Sequence, residues 1–183
     1  MPTKLVILDR DGVINFDSAQ FIKSPAEWKP IPGSLEAIAR LKQNGYRVVV
    51  STNQSGIGRG LFDMDTLNQI HDKMHRAAFA AGGRIDAVFY CPHAADAGCD
   101  CRKPNTGMMQ RIAHTLNVDL TGVPAIGDSP RDLEAAARAG CTPILVLTGK
   151  GEKTRAENTL PESTLVFADL ATAVDHLLQS EKK

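Results

Sequence analysis

Four short stretches of the chain carry side chains able to do acid, base or nucleophilic chemistry. "LVILDRDGVINFD", residues 5–17, ends an apolar run in two acids, Asp9 and Asp11, one residue apart and followed by Gly12. "STNQ" sets a hydroxyl, Thr52, beside two amides, Asn53 and Gln54. "CRKP" places two cations, Arg102 and Lys103, side by side, and "GDSPRD" holds Asp128, Ser129 and Asp132. Carboxylates that converge repel one another unless a cation lies among them, and hard oxygen donors suit Mg²⁺. With a hydroxyl, an amide and an ammonium added, such a set makes a cradle for a phosphoryl group. A further cluster, Cys91, His93, Cys99 and Cys101, gathers three thiols and an imidazole in one loop. That donor set suits tetrahedral Zn²⁺ in a closed, structural site.

These groups meet only if the fold brings them together. Strand-like runs ("KLVILD", "YRVVVST", "IDAVFYC", "VPAIGD", "TPILVLTG") alternate with helical ones ("GSLEAIARLKQNG", "DTLNQIHDKMHRAAFAAGG", "TGMMQRIAHTLN", "SPRDLEAAARAG"), and "STLVFADLATAVDHLLQS" adds a last strand and helix. This alternation predicts an α/β domain with a doubly wound parallel sheet and helices on both faces, spanning 1–183 as a single unit. In such sheets ligands gather at the carboxyl ends of the strands, which is where Asp9, Thr52 and Asp128 fall. Asp132 reads as an acid standing behind the metal ligands, or as a helix-end acid favoured by the macrodipole, rather than as a direct ligand. His71, His75, His114 and His176 read as surface or packing residues, Cys141 as a buried apolar one, and "KGEKTR" (150–155) as a solvated loop. "GIGRG" (56–60) reads as a turn permitting close backbone approach, and the final "SEKK" as a frayed end.

Composition narrows the partners. The chain has 183 residues with 43% apolar and 23% charged content, ordinary for a globular protein. Acids and bases balance at 21 each, and aromatics make up 5%. Neither a basic stripe nor a stacking platform is present, so nucleic acid is not the expected partner. Without an apolar leader or membrane-length run, the expected location is the cytoplasm, and no membrane is expected as a partner. Clustered cysteines agree with metal binding rather than a disulfide framework.

Taken in order, "DRDGVI", "STNQ", "CRKP" and "GDSPRD" resemble the four motifs of the haloacid dehalogenase (HAD) superfamily. The DRDG form, with a Cys/His cluster ahead of CRKP, is similar to the branch holding heptose-bisphosphate phosphatases and histidinol-phosphatases. The resemblance covers Lys4 to about Thr148. It implies a Rossmann-like phosphatase with Asp9 as nucleophile and Asp11 as general acid and base. Mg²⁺ would be held by Asp9, the Asp11 backbone carbonyl and Asp128; Thr52 and Lys103 would stabilise the phosphoryl group. Asp17, Asn53, Gln54, Ser55, Arg59, Arg102 and Ser129 would meet substrate. Cys91, His93, Cys99 and Cys101 would bind a structural Zn²⁺. The implied substrate is a small phosphorylated sugar, acted on by a monomer, with histidinol phosphate as the alternative. Asn15 to Pro32 is too short for an inserted cap domain, so the cleft should be open. A catalytically silent module of the same fold is the non-enzymatic alternative, but it would have no need to keep Asp9, Asp11, Thr52, Lys103 and Asp128 together. Ser18-Ala19-Gln20 departs from the loop common in relatives, which leaves the sugar contacts and the anomer open.

Overall fold

The computed structural model describes residues 4–180. Its strands, in chain order, are β1 (Leu5–Leu8), β2 (Arg47–Asn53), β3 (Ala87–Cys91), β4 (Pro124–Gly127), β5 (Thr142–Val146) and β6 (Leu165–Phe167). The helices are α1 (Ser34–Gln43), α2 (Ser55–Gly58), α3 (Met64–Ala80), α4 (Gly107–Leu116), α5 (Pro130–Arg138), α6 (Gly151–Ala156) and α7 (Leu170–Ser180). All six strands form one sheet in the order β3-β2-β1-β4-β5-β6, every pair parallel. This is the doubly wound arrangement expected from the alternation of elements. The strand order reverses between β1 and β4, and such a switch point opens a crevice at the carboxyl ends.

β1 is buried at all four positions because both faces of the sheet are covered. Side chains alternate between faces along a strand, so its residues divide between two cores. Val6 and Leu8 join Val48, Val50, Ile126 and Ile144 against α1, α3 and α7. Leu5 and Ile7 join Val49 and Ala125 against α4 and α5, through Met109, Ile112 and Ala136. The ladder continues one residue past β1, where the Asp9 N–H donates to the Ile126 carbonyl at 2.9 Å. The backbone of Asp9 is therefore fixed by the sheet itself.

Two short segments differ from the sequence reading. "KGEKTR" is not a solvated loop: Gly151–Ala156 form α6, with Gly151 and Thr154 buried. Its charge density hides a single turn whose inner edge lies on β5, where a Cβ at Gly151 would overlap the Val146 carbonyl. The "GIGRG" turn begins as the four-residue helix α2. The close approach expected of its glycines occurs at Gly58, whose N–H donates to the Pro92 carbonyl at 2.8 Å. Between β1 and α1 the chain holds only a 3₁₀ turn at Pro25–Glu27, with no inserted domain. At the carboxyl end, Ser180 closes α7, and 181–183, also expected to fray, lie outside the described residues. No described helix is long and apolar enough to cross a membrane.

Leu8 is fully buried one residue before Asp9. Leu8→Ala should lower the unfolding free energy by about 2–5 kcal/mol, the usual range for truncating a core leucine. Urea unfolding followed by circular dichroism checks this. A loss well under 1 kcal/mol would mean that β1 is not the packed centre of the sheet.

Candidate active site

β1, β2 and β4 deliver their last residues into one cleft of about 260 Å³, lined by Asp9, Asp11, Thr52, Lys103, Asp128 and Asp132 among others. Lys103 arrives from the loop between β3 and α4, and its side chain is only 3% exposed. Its ammonium reaches three acceptors: Asp9 Oδ1 at 3.2 Å, Asp132 Oδ1 at 2.7 Å and the Ser51 carbonyl at 2.7 Å. All three N–H bonds of an ammonium are thereby matched. The Asn53 side chain clamps the Lys103 backbone from both sides. Its Oδ1 accepts from the Lys103 N–H at 3.1 Å, and its Nδ2 donates to the Lys103 carbonyl at 3.2 Å.

Of the two expectations for Asp132, the structure favours the acid that supports its neighbours from behind. While Oδ1 holds Lys103, Oδ2 accepts from the backbone N–H groups of Asp128 and Ser129, at 3.2 and 3.1 Å, and from Ser129 Oγ at 2.8 Å. Both oxygens are thus committed to protein donors. Asp128 is gripped from the β5 side: Oδ2 accepts from the Lys150 N–H at 2.8 Å, and Thr154 Oγ1 donates to its backbone carbonyl at 2.7 Å. Gly12 and Gly149 flank its carboxylate so tightly that a Cβ on either would overlap it. Gly12 also has φ +83°, a conformation only glycine adopts freely.

Asp11 is held differently. Arg10, between the two acids in sequence and fully buried, turns its fork onto it, with Nε 2.9 Å from Oδ1 and Nη2 3.1 Å from Oδ2. Asn15 Nδ2 donates to Oδ1 at 2.9 Å, and Gln54 Nε2 to Oδ2 at 3.0 Å. Gln54, expected from the resemblance to read substrate, does border the cleft, but its amide is already engaged. Besides Asp11 it donates to Thr52 Oγ1 at 2.9 Å and accepts from Arg10 Nη2 at 3.3 Å. Asp17, Asn53, Ser55, Arg59, Arg102 and Ser129 also border the cleft. Sequence reasoning missed Arg10, His71 and Arg131, as well as the grip of Thr154. His71 and Thr154 have no motif signal, whereas Arg10 and Arg131 stand inside quoted motifs.

The electrostatics separate the acids. Burial, and then repulsion from Asp132, push Asp9 well above the usual carboxylate range, with Lys103 opposing. Asp128 is pushed up to about 7, by burial first and Asp132 second. For Asp11 burial also raises the pKa, but the Arg10 guanidinium and the hydrogen bonds from Asn15 and Gln54 outweigh it and hold the group low. Lys103 is raised above an ordinary lysine, because Asp132 and Asp9 overcome its burial. One ammonium therefore serves more carboxylates than it can neutralise. Oxygens of Asp9, Asp128 and Asp132 lie within 4.8 Å of one another. With Asp132 committed elsewhere, Asp9 and Asp128 are the carboxylates left to meet a hard divalent cation, and Mg²⁺ fits that donor set.

The Cys/His cluster is equally compact. Cys91 Sγ lies 3.6 Å from Cys99 Sγ, 3.1 Å from Cys101 Sγ and 3.6 Å from His93 Nδ1, and His93 Nδ1 lies 3.3 Å from Cys101 Sγ. Disulfide sulfurs would be ~2.05 Å apart, so these are free thiols. Thiolates bonded at ~2.3 Å around a tetrahedral ion stand about 3.7 Å from one another, close to the separations seen. Burial and the neighbouring thiols push Cys101 up to about 12, a tension that a bound divalent metal would relieve.

Comparison with known proteins gives this geometry a family. A family model described as HAD-hydrolase-like matches residues 100–173, and one described as Polynucleotide kinase 3 phosphatase matches residues 4–131. The D-glycero-beta-D-manno-heptose-1,7-bisphosphate 7-phosphatase of Bordetella bronchiseptica is 62% identical, over 96% of this chain and 98% of its own length. The Pseudomonas aeruginosa protein of that name is 51% identical, over 98% of this chain and 100% of its own. A crystal structure of the B. bronchiseptica D,D-heptose 1,7-bisphosphate phosphatase, complexed with magnesium and phosphate, superposes with a TM-score of 0.96 at 61% identity, covering 97% of this chain and 99% of that one. The corresponding Burkholderia thailandensis structure gives a TM-score of 0.78 at 54% identity, over 96% and 99%. The chain is a phosphoric monoester hydrolase with a HAD-like fold, and it belongs to the D-glycero-beta-D-manno-heptose-1,7-bisphosphate 7-phosphatase family.

Proposed function

We propose that this protein is a Mg²⁺-dependent phosphatase that removes the 7-phosphate of D-glycero-β-D-manno-heptose 1,7-bisphosphate. The observation that carries the substrate is a set of cations: Arg59, Arg102, Arg131 and Lys150 border the same cleft as Asp9. Burial, then repulsion from Arg131, lower the Arg102 pKa, and its buried Nη1 has no hydrogen-bond partner among the described residues. Lys150 is offset by Asp17, but the three arginines are surplus to the transferring phosphoryl group, which Lys103 and Thr52 already face. A second phosphate on the substrate would satisfy them. Histidinol phosphate would need an acid for its amine. Of the acids in the substrate loops Asp17 is the candidate, and it is paired with Lys150 at 3.2 Å.

In this reading the reaction runs in two displacements. Both hydrogen bonds to the Asp9 side chain, from the Arg10 N–H at 2.8 Å and Lys103 Nζ at 3.2 Å, fall on Oδ1. That leaves Oδ2 to attack phosphorus. The bond from phosphorus to the sugar oxygen breaks, and that oxygen takes a proton from Asp11, which carries one only once the negative charge of the bound phosphate offsets the Arg10 guanidinium that otherwise keeps it ionised. Asp11 then removes a proton from water as the water attacks the aspartyl-phosphate, releasing inorganic phosphate and restoring Asp9. Thr52, whose Oγ1 accepts from Gln54 and keeps its own O–H to donate, holds a phosphoryl oxygen, while the fully engaged Lys103 ammonium acts on the group through its charge. Mg²⁺, held by Asp9, Asp128 and the Asp11 carbonyl, would supply charge neutralisation at the phosphoryl oxygens. Zn²⁺ on Cys91, His93, Cys99 and Cys101 would stiffen the loop that carries Arg102 and Lys103. One catalytic domain, working as a monomer in the cytoplasm, would thus serve synthesis of the activated heptose of lipopolysaccharide.

Phosphate release with Mg²⁺ from the β- and α-anomers of the heptose bisphosphate and from histidinol phosphate tests the assignment, with Asp9→Asn as the blank. The β-anomer should be hydrolysed fastest, and preference for histidinol phosphate would move the protein to a different substrate. Arg102→Ala should raise KM for the bisphosphate roughly tenfold, a lost charged hydrogen bond, while leaving KM for heptose 7-phosphate unchanged. Equal effects on both would dissolve the distal-phosphate site. Cys99→Ser should lose zinc, unfold at lower temperature and lose on the order of tenfold in kcat, as expected when a positioning shell is broken. Zinc loss with normal kinetics would remove the positioning role.

A further inference from the structure

Arg10 has a fourth contact that the reaction above does not use. Its Nη1 lies 3.1 Å from Nε2 of His71, on the inner face of α3. A guanidinium only donates, so Nε2 must be the accepting, unprotonated nitrogen and the ring proton must sit on Nδ1. His71 is buried on the same helix face as Leu67, Ile70 and Met74. Burial first, and the Arg10 charge second, lower its pKa to about 3, so the ring stays neutral at working pH. The fork of Arg10 is thus fixed from two directions, by Asp11 and Gln54 on one side and by His71 on the other.

We propose that His71, acting through Arg10, is a positioning residue for Asp11. His71 supplies the acceptor that sets the rotation of the guanidinium about its own plane, and the guanidinium sets both oxygens of Asp11. Without that acceptor a buried N–H is left unpaired, and the fork turns to satisfy it at the expense of the carboxylate. The inference rests on Asp11 being the proton donor to the leaving group. It adds that the precision of the donor is controlled from α3, on the face of the sheet that α1 and α7 also cover.

The leaving group is the readout. The alkoxide of a heptose 7-phosphate needs a proton to depart, whereas the nitrophenolate of p-nitrophenyl phosphate does not. Since kcat/KM reports steps up to leaving-group departure, comparing the two esters isolates proton donation. Asp11→Asn should lose on the order of 10²-fold or more on the sugar and far less on the aryl ester. His71→Leu should repeat that pattern in miniature, about tenfold on the sugar and within about twofold on the aryl ester, as a small misplacement does. His71→Gln, which can accept from Arg10, should restore the sugar reaction. Arg10→Lys, which keeps the charge and loses the fork, should behave as His71→Leu does and carries the test if the leucine variant does not fold. Equal losses on both esters from the His71 or Arg10 variants, or no rescue by glutamine, would overturn the proposal. Equal losses from Asp11→Asn would instead overturn the reading of Asp11 on which it stands.

Discussion

A single buried ammonium organises this site. Lys103 stands between Asp9 and Asp132 with no donor to spare, and each carboxylate it touches has a second duty. Asp9 follows β1 directly and lines the cleft, and Asp132 holds the turn from β4 into α5, tying down Asp128 and Ser129. Buried charges are tolerated only when paired and hydrogen-bonded. The strand ends and the Lys103 loop therefore constrain one another. Removing the lysine would strand two carboxylates in a place where water cannot compensate, and moving the loop would do the same.

The rest of the structure can be understood as delivery of that lysine and of the acids it leaves unneutralised. The parallel sheet places Asp9 beside Asp128 because β1 and β4 are neighbours across the switch point. The Asn53 amide, at the end of β2, clamps the Lys103 backbone on the adjacent side. The cysteine loop immediately before it is anchored at three points: to α2 through Gly58, to Asn105 through the Cys99 carbonyl, and to the start of α4 through the bond from Gly107 to Asp100. On the far side, α6 and the glycine before it close on Asp128. The excess of negative charge that remains after Lys103 is placed is the physical demand for a divalent cation.

Much of this was legible in the residues. Continuous apolar runs such as "YRVVV" can satisfy their period only when both faces are covered, and that fixed the parallel sheet. Acids, hydroxyls and amides at the ends of those runs pointed to a common edge, where the structure gathers Asp9, Thr52 and Asp128. Donor chemistry alone assembled the four members of the Cys/His cluster. What escaped was pairwise. His71 lies on the buried face of α3, but its partner Arg10 is 61 residues away, and periodicity says nothing about which polar group a buried histidine meets. Gln54 was expected to meet substrate on the strength of the resemblance; its engagement with Asp11, Thr52 and Arg10 depends on side-chain directions that spacing does not encode. α6 was hidden because six residues are too few for a helical period to show above their charge.

The central claim is that Asp9, positioned by Lys103, carries the phosphoryl group between substrate and water. Its most direct test is a single turnover in ¹⁸O-labelled water, quenched in acid, followed by peptide mass spectrometry of residues 5–17. A phosphorylated peptide early in the turnover, with no ¹⁸O left in the Asp9 carboxylate after the phosphoryl group is released, is the predicted result, because water attacks phosphorus. Phosphate released without any phosphopeptide would mean that water attacks the substrate directly, and Asp9 would then be no more than a metal ligand.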